Sequence, residues 1–229
     1  LTMQSKTGQF DRDYISNLAN SSVVPEIKRI AGVGDVLLFG SPYAMRVWLK
    51  PDKMAALGWL GVAIPEEYGG SGLGFVELGI IQEELSYGLL ELAILFYRAT
   101  VHGAHSLLTY GSEAQREKYL PLIAAGKFKS SMSLTEPSAG SDAAGVRTRA
   151  VRDGDHFVIN GAKVFNSQVD LADRTVLVAR TDPEVPRHKG ISLFFVDPKS
   201  PGVTIERLET LAFRAVGTNR VTYENVRVH

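Results

Sequence analysis

Cysteine is absent from this chain of 229 residues, which excludes disulfides, thiolate metal sites and a cysteine nucleophile. The absence suits any redox compartment and selects none. An excess of charge is missing too, since 25 Lys and Arg balance 25 Asp and Glu. With no net positive field, neither nucleic acid nor an anionic membrane is expected as a partner. The longest strongly apolar run, Leu89 to Tyr97, contains Glu91 and falls far short of the ~20 residues a membrane span needs. Leu1 to Lys6 has no apolar core of signal-peptide type, so the expectation is a soluble, cytoplasmic chain. What remains is ordinary globular material, 45% hydrophobic and 22% charged, enough for one large domain or two smaller ones.

Residues 11 to 31 read as helical from the spacing of Tyr14, Ile15, Leu18, Ile27 and Ile30, with Pro25 expected to kink or divide the helix. Gly32 to Asp35 reads as a turn and Val36 to Phe39 as a strand. Ala44 to Lys50 alternates like a half-buried strand, and a capped helix is expected from Lys53. Ile64-Pro65-Glu66-Glu67-Tyr68-Gly69-Gly70-Ser71-Gly72 reads as a glycine-rich connection. Helical spacing returns over Val76 to His105, and Ser112 with Gln115 makes a capping box for a helix through Leu120. Pro121 is expected to begin the next turn and Gly126 to end it.

After Lys127 the texture becomes β. Strands are expected over residues 147–152, 156–160, 163–165, 174–180, 191–196, 203–208 and 220–223, with Asn160-Gly161 among the turns between them. Such a rhythm suits a small barrel or sandwich.

Ser130 to Ser167 is the most informative stretch. A strand-like run to Thr135 meets Glu136-Pro137 and then a turn of Ser, Ala, Gly, Ser and Asp. Gly140 would permit a positive φ and point amides into one concavity beside the Thr135 and Ser141 hydroxyls and the Asp142 carboxylate. The turn reads either as a solvated loop or as a cradle for a flat polar ring or a phosphate. Elsewhere, the pairs Glu66-Glu67 and Glu83-Glu84 read as solvated faces. His102 and His105 find no third ligand at metal spacing, so no metal is expected. No nucleophile elbow, phosphate loop or dinucleotide fingerprint occurs.

Thr-Glu-Pro-x-Ala-Gly-Ser-Asp from Thr135, then Gly154-Asp155, Asn160-Gly161-x-Lys163, the aromatic Phe165 and the hydroxyl Ser167 together resemble the acyl-CoA dehydrogenase family, from about Gly58 to the last residue. The resemblance implies an α+β architecture, with a helical layer over residues 58–126 and a small β-barrel domain over 127–229. It implies FAD-dependent 2,3-dehydrogenation of an acyl-CoA thioester. The FAD contacts it implies are Met132, Leu134, Thr135, Gly140, Ser141, Phe165, Asn166 and Ser167, with Ser141 also reaching the substrate. Phe165-Asn166-Ser167 stands where the family often has Trp-Ile-Thr or Trp-Ile-Ser. Electron-transfer flavoprotein or a similar acceptor is implied as partner, and a homo- or hetero-oligomer as the working state. The family's catalytic glutamate lies in a C-terminal helical bundle with no counterpart in these residues. No catalytic residue is therefore assigned, and the chain alone is expected to be inactive.

Ile27 to Gly58, with its Gly-Val-Gly-Asp-Val turn, Phe-Gly and Tyr-Ala-Met-Arg strand, resembles instead the porter region of resistance-nodulation-division efflux transporters. That implies a short ferredoxin-like α/β segment over residues 1–57, joined to the dehydrogenase-like part near Met54 to Gly58. Two other readings stay open: a periplasmic transporter fragment fused to a passenger, and a non-catalytic flavin- or acyl-CoA-binding module.

Overall fold

The computed structural model describes residues 14–15, 18–29, 51–88, 90–211 and 216–229. It divides into two units, Leu1–Leu49 and Lys50–His229. In the first, a widened helical stretch Ala19–Val23 runs into α1 (Val24–Lys28), and Pro25 occupies its first turn. Pro25 has no N–H to give the preceding turn, and the helix passes it with a local widening just before it instead of ending there. The strands expected over residues 36–50, and with them the ferredoxin-like segment, lie outside the described residues.

The second unit opens with α2 (Pro51–Ala56). The helix starts at the proline itself, two residues earlier than the capping pattern suggests, because proline's fixed φ suits a first helical position. The glycine-rich stretch that follows is a packed loop, not a loose connection. Ser71, Gly72 and Leu73 amides donate to the carbonyls of Gly61, Ile64 and Val62, and Ile64 is buried. A Cβ on Gly70 would lie 2.0 Å from the Ile64 carbonyl oxygen, so the backbone closes there only without a side chain. The Tyr68 hydroxyl donates to Glu113 at 2.6 Å and ties the loop to the start of a later helix.

Helices α3 (Phe75–Gly88) and α4 (Leu90–Tyr97) lead into a widened turn, Arg98–His105, then α5 (Ser106–Tyr110) and α6 (Glu113–Ala124). Leu60, Val62, Leu78 and Phe96 form one core cluster. Ile64, Leu107, Leu120, Ile123 and Phe128 form another. The Ser112/Gln115 capping box is present in both directions. Pro121 lies inside α6, although it reads as a turn former. Leu120, Ile123 and Ala124 around it are buried, and that packing outweighs the lost hydrogen bond. Gly126, at φ 68°, closes the helix as expected, with Lys127 N–H reaching back to the Leu122 carbonyl.

The β region is a curled sheet of β1 (Ser130–Ser133), β2 (Arg149–Asp153), β3 (His156–Ser167), β4 (Arg174–Arg180), β5 (Ile191–Val196), β6 (Val203–Leu208) and β7 (Thr218–Val228). The order is β1-β4-β2-β3-β7-β6, with β5 also on β4. Ile159, Leu177, Val196, Val221 and Tyr223 fill its concave face. Among the described residues β6 and β1 do not pair, so of the barrel or sandwich that the strand rhythm suggests the sheet forms a curled half-barrel.

Asn160-Gly161 is not a turn either. β3 runs straight through it, and the register against β7 shifts between Ile159 and Gly161. Gly161 has φ 154°, and a Cβ there would meet Thr148 at 2.5–2.8 Å, so the glycine serves a bulge and a close approach. Gly161→Ala is therefore expected to destabilise the protein by about 2 kcal/mol. Gly140→Ala, where a Cβ has nothing within 4 Å, should stay within about 0.5 kcal/mol of wild type. Urea midpoints of the two variants check this, and equal midpoints would contradict the close approach.

Candidate functional site

The sheet topology opens the site. β5 pairs with β4 along Thr175–Arg180 and takes one of its edges, so β1 and β2 must share the other. β1 pairs with residues 174–177 and β2 rejoins at Arg180. Between them the chain leaves the sheet at Leu134 and returns at Thr148. The Thr-Glu-Pro turn is this excursion.

Its conformation is pinned from inside. Glu136 and Ala139 exchange both backbone hydrogen bonds, closing a tight turn around Pro137-Ser138. The Glu136 side chain folds under the turn and is 4% exposed, and Lys163 on β3 is 0% exposed. One carboxylate oxygen accepts from the Arg147 amide at 2.7 Å. The other accepts from the Thr148 amide at 2.8 Å and the Lys163 ammonium at 2.9 Å. Lys163 also donates to the Leu134 carbonyl at 2.9 Å, and the Val164 amide to the Thr135 carbonyl at 2.8 Å. Burial pushes the Glu136 carboxyl up, but the hydrogen bonds from Lys163, Thr148 and Arg147 outweigh it and hold it below the ordinary value. From the sequence, Glu136 reads only as a turn residue and Lys163 only as part of the Asn160-Gly161-x-Lys163 pattern. Their pairing across 27 positions has one sequence signal, a lysine within a strand whose neighbours alternate toward the core.

Beyond Lys163, a second bulge breaks the alternation of β3. Phe165 takes φ 60°, a left-handed conformation that aromatics seldom adopt, and is 67% exposed. Asn166 is instead turned inward and buried. Its amide donates to the Asn219 carbonyl, and Asn219 returns the bond to the Asn166 carbonyl at 3.1 Å. Asn166 thus anchors the bulge and its side chain does not line the outer face with Phe165. Ser167 pairs with Thr218, and Gln168, at φ 51°, ends the strand.

Met132, Leu134, Thr135 and Ser167 are half-buried, while Gly140 and Ser141 are exposed. Gly140 does not adopt a positive φ. Its contribution is the open space where a side chain would stand. Asp142 bonds Arg187 at 3.0 Å. Among the described residues the hydroxyls of Thr135, Ser141 and Ser167 have no hydrogen-bond partner. The excursion and β3 together thus present three uncommitted hydroxyls, an open glycine and an outward aromatic. That set fits a flat, hydrogen-bonding ring such as a flavin.

The helices reach this site through Arg98, a residue the sequence reading passed over. It is 5% exposed and donates to the Ser130 carbonyl at 2.6 Å and to the Gln168 side chain. It therefore joins the start of β1 to the end of β3. Burial lowers its pKa to about 10, with Asp170 opposing. Neighbouring His102 is lowered to about 4, first by burial and then by the charge of Arg98. His102 packs edge-on against Tyr97, and His105 against Phe75. Among the described residues no cluster of metal-ligating side chains forms, and no helix is long and apolar enough to cross a membrane.

Two family descriptions match this region: the acyl-CoA dehydrogenase N-terminal domain over residues 46–127 and its middle domain over residues 131–226. A third, the AcrB/AcrD/AcrF family, matches residues 1–62. The acyl-CoA dehydrogenase FadE29 of Mycobacterium tuberculosis is 42% identical over 77% of this chain and 44% of its own length. The glutaryl-CoA dehydrogenase of Desulfococcus multivorans is 36% identical over 98% of this chain and 56% of its own. A crystal structure of a glutaryl-CoA dehydrogenase from Mycobacterium smegmatis in complex with FADH2 superposes with a TM-score of 0.71. It is 34% identical, over 78% of this chain and 45% of that one. These relatives are acyl-CoA dehydrogenases, flavoprotein oxidoreductases of fatty-acid and lipid metabolism, and the chain spans about half the length of the curated relatives it matches. By its helical layer, its half-barrel and both domain matches, this chain belongs to the acyl-CoA dehydrogenase family and carries that family's N-terminal and middle domains.

Proposed function

We propose that this protein is an FAD-dependent acyl-CoA dehydrogenase that removes hydrogen across the α and β carbons of an acyl-CoA thioester. The observation that carries the reading is the set of three hydroxyls, of Thr135, Ser141 and Ser167, that have no protein partner among the described residues, with the exposed aromatic Phe165 on the same strand as Ser167. When bound there, the flavin would supply the hydride acceptor. Phe165 would shield one ring face, and Thr135 and Ser167 would donate to the ring's polar edge. Met132 and Leu134 would border it through the strand, Gly140 would leave it room, and Asn166 would hold the bulge from behind. Ser141, exposed at the tip of the turn, would reach the thioester.

Neither carboxylate of the turn is placed to take the α-proton. Glu136 is committed to Lys163 and two amides, and Asp142 is paired with Arg187. The base therefore comes from outside the turn. Electrons taken up would leave to a redox protein such as electron-transfer flavoprotein, with the enzyme working as an oligomer. We read residues 1–57 as a transporter-like segment. The match at residues 1–62 supports that reading, and the alignment of a glutaryl-CoA dehydrogenase over 98% of the chain counts against it. Genomic sequence across Met54 to Gly58 decides between them.

Flavin titration tests the main reading. Two lost hydrogen bonds at about 0.5–1.5 kcal/mol each predict roughly tenfold weaker FAD binding in Thr135→Val/Ser167→Ala. Phe165→Gly should move stability and binding in opposite directions. Relief of the left-handed aromatic should raise stability by about 1 kcal/mol, while loss of the ring weakens flavin binding. Unchanged FAD affinity in both variants would remove the site from consideration.

A further inference from the structure

Asn160, exposed on β3 and followed by Gly161, belongs to a residue pair with a chemistry of its own. In an Asn-Gly pair the glycine has no side chain to shield its backbone nitrogen, so that nitrogen can attack the asparagine carboxamide. The attack needs the carboxamide carbon swung over the Gly161 nitrogen in a near-attack geometry. Here the carboxamide is held across the sheet at both of its ends. Its Oδ1 accepts from the Asn225 amide at 2.9 Å, and its Nδ2 donates to Asn225 Oδ1 at 3.2 Å. Asn225 itself sits at φ 53°, a left-handed conformation that asparagine tolerates better than most residues. The lock thus joins two asparagines 65 positions apart, one on β3 and one on β7. It stands where the ladder between those strands is interrupted. The register shifts between Ile159 and Gly161, and pairing is locally disrupted at such a bulge.

We infer that Asn160 is a latent deamidation site, kept closed by Asn225 and opened when the bulge loosens. In the reaction the Gly161 nitrogen gives up its proton to a base in solvent and bonds to the Asn160 carboxamide carbon. The bond from that carbon to Nδ2 breaks and ammonia leaves, giving a cyclic imide. Water then opens the imide at either carbonyl and leaves aspartate or isoaspartate at position 160. Neither product restores the lock, because an aspartate carboxylate has no donor to return to Asn225 Oδ1. Isoaspartate also routes the main chain through the side-chain methylene and so lengthens β3. That change falls just upstream of the Lys163 ammonium that pins the turn. None of these contacts depends on flavin or substrate.

Peptide mapping by mass spectrometry of protein held at mildly alkaline pH tests this, with isoaspartyl methyltransferase labelling as a second readout. Wild type should deamidate at Asn160 roughly tenfold more slowly than the guanidinium-unfolded chain, in which the lock is absent. Asn225→Gly keeps the left-handed backbone and its amide but removes the side-chain acceptor. It should speed the reaction about three- to tenfold at an unchanged urea midpoint. Asn225→Asp keeps an acceptor for Nδ2 and should stay near wild type. Arg98→Met, destabilised from the helical layer, controls for global unfolding and should also stay near wild type. Asn160 reacting equally fast in folded and unfolded protein overturns the inference, as does an unaccelerated Asn225→Gly. Equal acceleration in Asn225→Asp removes the side chain's part, and equal acceleration in Arg98→Met assigns the reaction to global unfolding. Either result overturns the lock.

Discussion

Glu136→Gln should unfold at a much lower urea concentration than wild type, with about 3–5 kcal/mol of stability lost at neutral pH. That is the usual cost of leaving one member of a buried ion pair alone. Lys163 would remain a desolvated ammonium with the Leu134 carbonyl as its only strong partner. Lys163→Met should cost a similar amount, because the buried Glu136 carboxylate would keep just the Arg147 and Thr148 amides. The double variant Glu136→Gln/Lys163→Met should cost about as much as either single change, since no unpaired charge is left behind. Strict additivity, or single variants within about 1 kcal/mol of wild type, would show that the pair does not organise the turn.

The pH dependence carries the same signature. The folded-state pKa of Glu136 lies below its ordinary 4.5. Its contribution is therefore complete above about 4.5 and is lost as pH falls through the depressed value. Glu136→Gln should lack this slope in acid. Burial lowers Lys163 from its ordinary 10.5 even against the attraction of Glu136. Its ammonium is thus costlier folded than unfolded, and stability rises as pH climbs from the lowered value toward 10.5. Without Glu136 the attraction is gone, so that alkaline recovery should start at lower pH in Glu136→Gln.

Local signals in the sequence survive into the fold, and long-range ones do not. Ser112 and Gln115 cap their helix as read, because both partners lie within one turn. The strands Arg174–Arg180, Ile191–Val196 and Val203–Leu208 keep their expected bounds, each a run between turn residues. Asn160-Gly161 misled because the same dipeptide serves a turn or a bulge. The choice was made by Thr148, which approaches Gly161 from the chain just before β2. Pro121 misled because the core contacts of Leu120 and Ile123 keep α6 going past it. At the candidate site, Thr135, Ser141, Phe165 and Ser167 are assigned by the resemblance. The exposure of Phe165 and the inward turn of Asn166 were not legible, since a bulge decides both.

Arg98→Met should destabilise the protein by about 2–4 kcal/mol and weaken flavin binding without touching the flavin face. The Ser130 carbonyl and the Gln168 side chain lose their donor in a buried setting, where an unpaired acceptor costs about 1–3 kcal/mol. Gln168 directly follows Ser167, so slackening its anchor loosens the end of β3 that carries the hydroxyl proposed to meet the flavin. Arg98→Lys, able to reach one acceptor but not both, should fall between methionine and wild type. A purely packing role for Arg98 would instead leave Lys and Met alike. His102 supplies an independent readout. Its value near 4 comes first from burial and second from the charge of Arg98, so in Arg98→Met it should rise without returning to 6.5. In wild type the neutral imidazole is favoured by the fold. Stability is therefore full above 6.5 and declines as pH falls from 6.5 toward 4, by on the order of 3 kcal/mol. Proton NMR titration of His102 in wild type and Arg98→Met measures the shift. An unmoved value would mean that Arg98 is not electrostatically coupled to the helix beside the site.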